Sequence, residues 1–228
     1  MMAPMARAAV STDRFEGFPA EAFDFYEALA DNNTRPWWNE HKAEYERAVK
    51  APLEALVRDL QDEFGQAKLF RPYNDTRFAK GKPPIKEHQG AVVELEDAVA
   101  YYVQVSASGL MVAGGWYAPL GQQVHRYREA VDGPRGAELE RLVASARRRF
   151  DLDGRPLKTR PKGYDADNPR IELLRFRALT VARHYDPGPE LGTRAALTVV
   201  RKDWRAMRPL LEWLADNVGP GSDPADGT

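Results

Sequence analysis

The chain has 228 residues, of which 43% are hydrophobic and 29% are charged, and its formal net charge is −1. This composition predicts a soluble globular protein with a sizeable core, and it excludes the overall basic field that drives non-specific binding to nucleic acids. The absence of cysteine excludes disulfides, thiolate metal sites and cysteine nucleophiles, and it suits a cytoplasmic protein. No stretch approaches the roughly 18 apolar residues of a membrane span, so we expect no membrane anchor.

Both ends of the chain lack an apolar pattern. Residues 1–13 are mostly small, and residues 219–228 are mostly Gly, Pro, Ser and Asp, so we expect two disordered tails. The body between them, residues 14–218, contains no internal repeat and no low-complexity run. We therefore expect a single domain over this body.

The body opens with helices. Pro19 fits a first helical turn, and an apolar stripe at helical spacing follows it as far as residues 31–33. Thr34 is the predicted N-cap of a second helix. We expect Pro52 to interrupt that helix, and a third apolar stripe stops at Gly65.

Short β-rich runs separated by turn residues follow, at residues 92–95, 101–106 and 110–116. This pattern predicts an antiparallel meander. The glycine pair that precedes Trp116 predicts a bulge or turn that lets the indole pack. Tyr101 and Tyr102 are adjacent and face opposite sides of a strand, so we expect one in the core and the other along a groove.

The rest of the chain returns to helices and one strand. Helices are predicted from Pro119 through Val131 and over residues 137–150, and the basic end of the second helix suits the macrodipole. Further predicted elements are a short helix near 171–174, a strand over 180–185, and helical segments near 191–200 and 204–218. The fold class is therefore α+β: a single compact domain in which N-terminal and C-terminal helices flank an antiparallel β-meander.

Residues 71–86 (RPYNDTRFAKGKPPIK) place five cationic side chains among prolines and aromatic residues in a chain that is otherwise almost neutral. Prolines fix φ and remove backbone donors, so this segment predicts a rigid loop that offers its cations to a phosphate or carboxylate. The predicted ligand-binding residues of this loop are Arg71, Asp75, Arg77, Lys80, Lys82 and Lys86.

Asp75 has two interpretations. In an extended segment Arg71, Asp75 and Arg77 share one face, which sets the carboxylate between two guanidinium groups. Asp75 is then either a salt-bridge clasp that holds the loop or an acid that orients one cation of an anion cradle.

A second proline-bounded basic segment contains Lys158, Arg160 and Lys162, with Tyr164 beside them. If the two basic loops meet over the sheet, they form one positively lined cleft, and Lys162 and Tyr164 then join the ligand-binding residues. A solvated basic loop is the alternative interpretation.

The four histidines are dispersed, and none has metal-ligand spacing with a second histidine, so we expect no structural zinc. His41 and His88 are interpreted as surface or partly buried residues. His88 is the better candidate general base because it follows the basic loop. Trp37 and Trp38 are interpreted as core packing, with a platform for stacked bases as the alternative.

Four segments together resemble the hypothetical proteins of domain-of-unknown-function family 2461, which occurs in bacteria and fungi: residues 31–38 (DNNTRPWW), 71–86, 101–102 and 161–165 (PKGYD). The likeness runs from about residue 15 to residue 218. Pro83 and Ile85 stand where the family pattern has Thr and Tyr. The resemblance implies one compact α+β domain, and it supplies no activity, substrate or cofactor.

Three functions stay open at this point. The first is a protein that binds, or acts on, a phosphorylated or carboxylated small ligand in a basic cleft. The second is a nucleic-acid-associated module, in which basic loops grip phosphates and aromatic residues stack on bases; a steep loss of binding with salt distinguishes it. The third is an interaction or scaffold protein without chemistry. The sequence indicates neither a reaction type nor an oligomeric state.

Overall fold

An antiparallel sheet of six strands lies at the centre of the described chain. The structure, a computed structural model, describes residues 14–75 and 81–221. The strands are β1 (Lys68–Leu69), β2 (His88–Glu96), β3 (Val99–Ser106), β4 (Gly109–Trp116), β5 (Asp151–Asp153) and β6 (Leu179–Tyr185). The helices are α1 (Glu21–Asp31), α2 (Arg35–Tyr45), α3 (Ala51–Phe64), α4 (Gln123–Asp132), α5 (Gly136–Ala146), α6 (Ile171–Leu174) and α7 (Ala195–Val218). The predicted α+β class, with helices before and after a meander in the chain, is confirmed.

The strands lie in the order β1-β2-β3-β4-β6-β5. The predicted meander is confirmed, because β2, β3 and β4 pair consecutively and in antiparallel fashion. The strand β6 pairs with β4, and β5 pairs with the other edge of β6. Sequence periodicity missed β1 and β5, because strands of two and three residues are too short to show an alternation.

One face of the sheet packs against helices, and the other is partly exposed. In β3, Tyr101 and Val103 are buried in the core, whereas Tyr102 and Gln104 at the alternate positions are only half-buried. Helix α7 contacts β4, β3 and β2, and α1 contacts β3. The expectation that one of the paired tyrosines is core and the other lines a groove is therefore confirmed.

The second helix begins at the predicted N-cap, but the helical segment continues past Pro52, where an interruption was predicted. Thr34 is the N-cap of α2 and its side chain accepts from the backbone N–H of Trp37 at 3.4 Å. The predicted interruption at Pro52 is wrong, because a π-helical turn (Glu46–Lys50) joins α2 to α3. In this turn the Ala51 N–H donates to the carbonyl of Glu46. The wider turn accommodates a proline ring that would clash with the carbonyl four residues earlier in a regular α-helix.

Two later helices are shorter than the sequence pattern indicates. The helix predicted from Pro119 begins only at Gln123, because Gly121 has a φ of +48° and the Gln123 side chain accepts from the Leu120 N–H at 2.9 Å. The helix predicted over residues 137–150 ends at Ala146. Its basic end leads into turns and then into β5.

The closing segments, predicted near 191–200 and 204–218, form the single helix α7, which contains Pro209.

The prediction of a bulge or turn at the glycine pair before Trp116 is wrong. Both glycines lie within ladders of regular register with β3 and β6. Gly115 has a φ of +132°, and a Cβ there would lie 2.2 Å from the carbonyl oxygen of Leu179, so the close strand contact requires glycine. Trp116 is fully buried, as expected.

Residues 219–221 are hydrogen bonded to the domain. Gln123 Nε2 donates to the carbonyl of Gly219 at 2.7 Å, and the Gly221 N–H donates to Asp97 Oδ2 at 2.9 Å. The predicted tails at residues 1–13 and beyond residue 221 lie outside the described residues.

Candidate functional site

The ends of the basic loop form a narrow hairpin. The Lys86 N–H donates to the carbonyl of Pro72 at 2.7 Å, and the Asn74 N–H donates to the carbonyl of Pro84 at 2.9 Å. These bonds hold residues 72–74 against residues 84–86. The rigid frame predicted from the prolines is therefore built from paired backbone as well as from restricted φ angles.

Two asparagine side chains stabilise this hairpin: Asn33 attaches it to the domain, and Asn74 joins its two strands. Asn33 Nδ2 donates to the carbonyl of Ile85 at 3.0 Å, and the Ile85 N–H donates back to Asn33 Oδ1 at 3.1 Å. Asn74 Nδ2 donates to the carbonyls of Pro83 at 3.0 Å and Ile85 at 3.1 Å. The Ile85 side chain is buried in the core. These contacts give structural roles to Asn33 and Asn74, which belong to two of the resembling segments.

Three cations of the predicted set lie near one another at this hairpin: Arg71, Lys82 and Lys86. They are called the basic cluster below. Burial lowers the pKa of Lys86, and the nearby charges of Arg71 and Lys82 lower it further. Within the described part of the chain, none of the three forms a salt bridge. The Lys86 Nζ lies 5.4 Å from the centre of the Phe70 ring, in a cation–π arrangement.

The other predicted residues of this loop are placed only in part. Asp75 is exposed. Arg77 and Lys80 lie outside the described residues. The arrangement that sets Asp75 between two guanidinium groups thus stays a prediction, and so does its role as clasp or orienter.

A buried glutamine supports the first strand of the hairpin. Tyr45 Oη donates to Gln89 Oε1 at 2.6 Å, and Gln89 Nε2 donates to the carbonyls of Phe70 at 2.8 Å and Gly90 at 3.0 Å. Gln89 is 1% exposed, and its buried amide joins Tyr45 of α2 to the backbone of Phe70 and Gly90. The same residues line a cavity of about 300 Å³ between α2 and the hairpin, where Arg71 is also found. Sequence reasoning missed Gln89, because nothing in its local pattern marks it as buried.

The second basic segment lines a different cavity. Lys162 and Tyr164 lie beside Arg128 and His125 of α4 around a volume of about 620 Å³. Arg160 Nη1 donates to the carbonyl of Tyr164 at 2.5 Å and so closes this loop on itself. Burial raises the pKa of Tyr164. Lys162 thus lines one cavity and Arg71 another, and a joint cleft between the two loops stays a prediction.

The two histidines singled out from the sequence have different surroundings. His88 is half-buried at the start of β2; burial lowers its pKa, and the neighbouring Lys86 charge lowers it further, although Glu87 opposes them. These effects favour a neutral imidazole. His41 stacks on Trp37 at a centroid distance of 4.0 Å. Trp38 is buried, which agrees with its interpretation as core packing.

The exposed face of the sheet carries a further cavity of about 440 Å³, called the open-face cavity below. Its walls include Phe70, Tyr102 and Tyr117, and its floor includes Ala113 and Ala182. Phe70 also lines the cavity beside α2, and the Lys86 Nζ lies 5.4 Å from the centre of its ring, so Lys86 lies close to one wall of the open-face cavity. The sequence predicted that either Tyr101 or Tyr102 lines a groove, and it did not indicate Phe70 or Tyr117.

Among the described residues there is no group of three or more His, Cys, Asp or Glu side chains that is suited to a metal ion. In the same part of the chain, no helix has the length and apolar character required to cross a membrane.

The fold and this site define an α+β protein whose antiparallel sheet keeps one face partly exposed, with a basic hairpin at its edge. The chain belongs to the family described as "Conserved hypothetical protein (DUF2461)", whose model matches residues 21–213. No curated protein and no solved structure matches the chain.

Proposed function

We propose that this protein binds a small phosphorylated or carboxylated molecule at the basic cluster. The observation that carries the proposal is that Arg71, Lys82 and Lys86 lie close together without a salt bridge to any described residue. Such an arrangement costs free energy in the unliganded protein, because Lys86 is partly desolvated and faces two like charges. The opposite charge of a bound anion offsets both costs.

The frame of the cluster supports the same proposal. The backbone pairing of residues 72–74 with 84–86 and the side chain of Asn33 fix the backbone that carries Lys86, next to Arg71, before any ligand binds. A pre-organised site loses less side-chain entropy on binding than a flexible one. Arg77 and Lys80 of the same loop stay in the proposal as further cations, with Asp75 as orienter, and Lys162 and Tyr164 stay in it as a second binding segment. A cytoplasmic location is part of the proposal.

The proposal is tested by titrating the protein with inorganic phosphate, sulfate and acetate while following the backbone and lysine side-chain signals by NMR. We expect saturable shifts at residues 70–75 and 84–88, and a rise in the pKa of Lys86 when phosphate binds. Lys86→Gln is expected to weaken binding about tenfold, which corresponds to one charge-assisted hydrogen bond. Lys202→Gln is the matched control, because Lys202 is an exposed lysine on α7.

Four results would overturn the proposal. Equal effects of Lys86→Gln and Lys202→Gln would place the anion elsewhere, and a selective effect of Lys162→Gln would move it to the cavity beside α4. Tight binding of a single-stranded oligonucleotide, with steep salt dependence and a footprint of several nucleotides, would favour the nucleic-acid module instead. No binding of any of these probes would favour a protein that acts through interactions alone.

A further inference from the structure

The floor of the open-face cavity is formed by small residues that the strand register brings together. Ala113 lies opposite Tyr102 on one side and Ala182 on the other, while Gly115 lies opposite Ala100. Four of these five residues have no side-chain atom beyond Cβ, so the space over β3, β4 and β6 is left unfilled. The resulting volume of about 440 Å³ lies within the range of small-molecule sites.

The walls of this cavity are aromatic, and one of them, Tyr102, is held in place. Tyr102 Oη donates to Gln104 Oε1 at 2.9 Å, and the Tyr102 ring lies over Gly90, where a Cβ would approach ring atoms to 2.7 Å. Phe70 and Tyr117 remain 37% and 39% exposed. Large apolar side chains left exposed around one concave surface are typical of a binding site, whereas scattered ones are not.

The two ends of the cavity differ in charge. At one end, the Lys86 Nζ lies 5.4 Å from the centre of the Phe70 ring. At the other end lie Asp153 and Thr180. Asp153 Oδ1 accepts from the N–H groups of Gly154 at 2.7 Å and Arg155 at 3.3 Å. A carboxylate at this end disfavours a second anionic group there, so the cavity suits a molecule with its negative charge at one end only.

We propose that the anion held by the basic cluster belongs to a flat aromatic molecule, whose ring lies on the open face of the sheet between Phe70, Tyr102 and Tyr117. This inference rests on the proposed function, and it adds the class of ligand: an aromatic carboxylate or an aromatic phosphate monoester. The ring stacks on the aromatic walls over a floor of small residues, and the anionic group reaches Lys86 past the edge of Phe70.

Three probes test the inference: inorganic phosphate carries only the anion, 1-naphthol carries only the aromatic ring, and 1-naphthyl phosphate carries both. Their affinities are measured by calorimetry for the full chain and its variants. We expect 1-naphthyl phosphate to bind at least about tenfold more tightly than inorganic phosphate, because the ring buries apolar surface. Ala113→Leu fills the floor without a change of charge, so it is expected to remove this gain and to leave the affinity for inorganic phosphate unchanged.

Ala144→Leu is the matched control, because Ala144 is exposed on α5, and it should change neither affinity. Contacts between naphthyl protons and the methyl groups of Met111 and Ala113 in NMR spectra give a second measurement that does not depend on how a variant folds. These contacts are expected in the unmodified protein.

The outcomes separate this inference from the proposed function. If inorganic phosphate binds at Lys86 and 1-naphthyl phosphate binds no more tightly, the aromatic class is wrong and the anion site stands. If neither phosphate compound binds, the proposed function fails. If 1-naphthol binds as tightly as 1-naphthyl phosphate and Lys86→Gln changes neither affinity, the cavity is an apolar site unconnected to the basic cluster, and both proposals fail.

Discussion

Asn33 and Ile85 lie 52 positions apart in the sequence and are joined by two hydrogen bonds between the amide side chain of the first and the backbone of the second. This pair connects the start of α2 to the hairpin that carries Lys86. The geometry of the basic cluster therefore depends on a residue that carries no charge.

Asn33→Ala is expected to destabilise the protein by about 1–3 kcal/mol, because the backbone N–H of the buried Ile85 loses its acceptor. The same variant is expected to weaken phosphate binding at the basic cluster. Urea unfolding and phosphate titration measure the two effects. Asn32→Ala is the control: it removes an exposed bond to the Ala28 carbonyl and should cost about 0.5 kcal/mol or less. Equal losses in the two variants would contradict the role of Asn33.

Gln123→Ala is expected to cost about 2–4 kcal/mol of unfolding free energy. Gln123 is fully buried; its Oε1 accepts from Trp116 Nε1 at 3.2 Å, and its Nε2 donates to the carbonyls of Asp97 at 2.8 Å and Gly219 at 2.7 Å. Alanine leaves these groups without a partner. The adjacent Gln122 is exposed, so Gln122→Ala should change the urea midpoint very little.

Glu63 gives a pH-dependent contribution to stability. Hydrogen bonds from Arg205, at 2.5 and 2.8 Å, lower the pKa of Glu63 below its ordinary value of 4.5, and the charges of Arg208 and Arg201 lower it further. A lowered folded-state pKa means that this stability is present above the unfolded-state value and is lost as the pH falls through the folded-state value. Glu63→Gln should therefore destabilise the protein more at pH 7 than at pH 3.

The measurement for Glu63 is urea unfolding of both proteins at the two pH values. Glu27→Gln serves as the comparison, because Glu27 is an exposed glutamate on α1. A difference between wild type and Glu63→Gln that is the same at both pH values would show that the arginines do not stabilise the carboxylate.

Tyr185→Phe is expected to cost about 1–3 kcal/mol. Tyr185 Oη donates to Asp203 Oδ2 at 2.6 Å, and Asp203 is only 3% exposed. Without this hydroxyl the carboxylate keeps Arg183, whose Nη1 lies 4.0 Å from Oδ1. Thermal unfolding of Tyr185→Phe, compared with that of the Tyr117→Phe variant of an exposed tyrosine, measures the loss. A loss no larger in Tyr185→Phe would show that the buried carboxylate does not need this donor.

Features that depend on local spacing were predicted well from the sequence. The cap at Thr34 and the opposite faces of Tyr101 and Tyr102 follow from one residue and its near neighbours, and the structure confirms both. The continuation of the helix through Pro52 was missed, because a π-helical turn is a rare solution that no composition rule indicates.

Only part of the candidate site was predicted, because the rest of it is formed by contacts between segments that are distant in the sequence. Proline and charge identified the basic loop, but its attachment to Asn33 and the open-face cavity depend on contacts between distant segments. Ala113 and Ala182 form one floor only because β4 and β6 pair in a register that neither strand specifies alone. Small residues on separate strands give no signal until the sheet is assembled.

The two edges of the sheet are unusually short. β1 pairs with β2 through two residues and β5 pairs with β6 through three, and both short strands carry exposed charged side chains at Lys68, Asp151 and Asp153. Long unpaired edges invite added strands from other chains, and short charged ones discourage them. Each edge strand therefore offers at most three residues of backbone to a strand of another chain, and its charged side chains oppose such pairing.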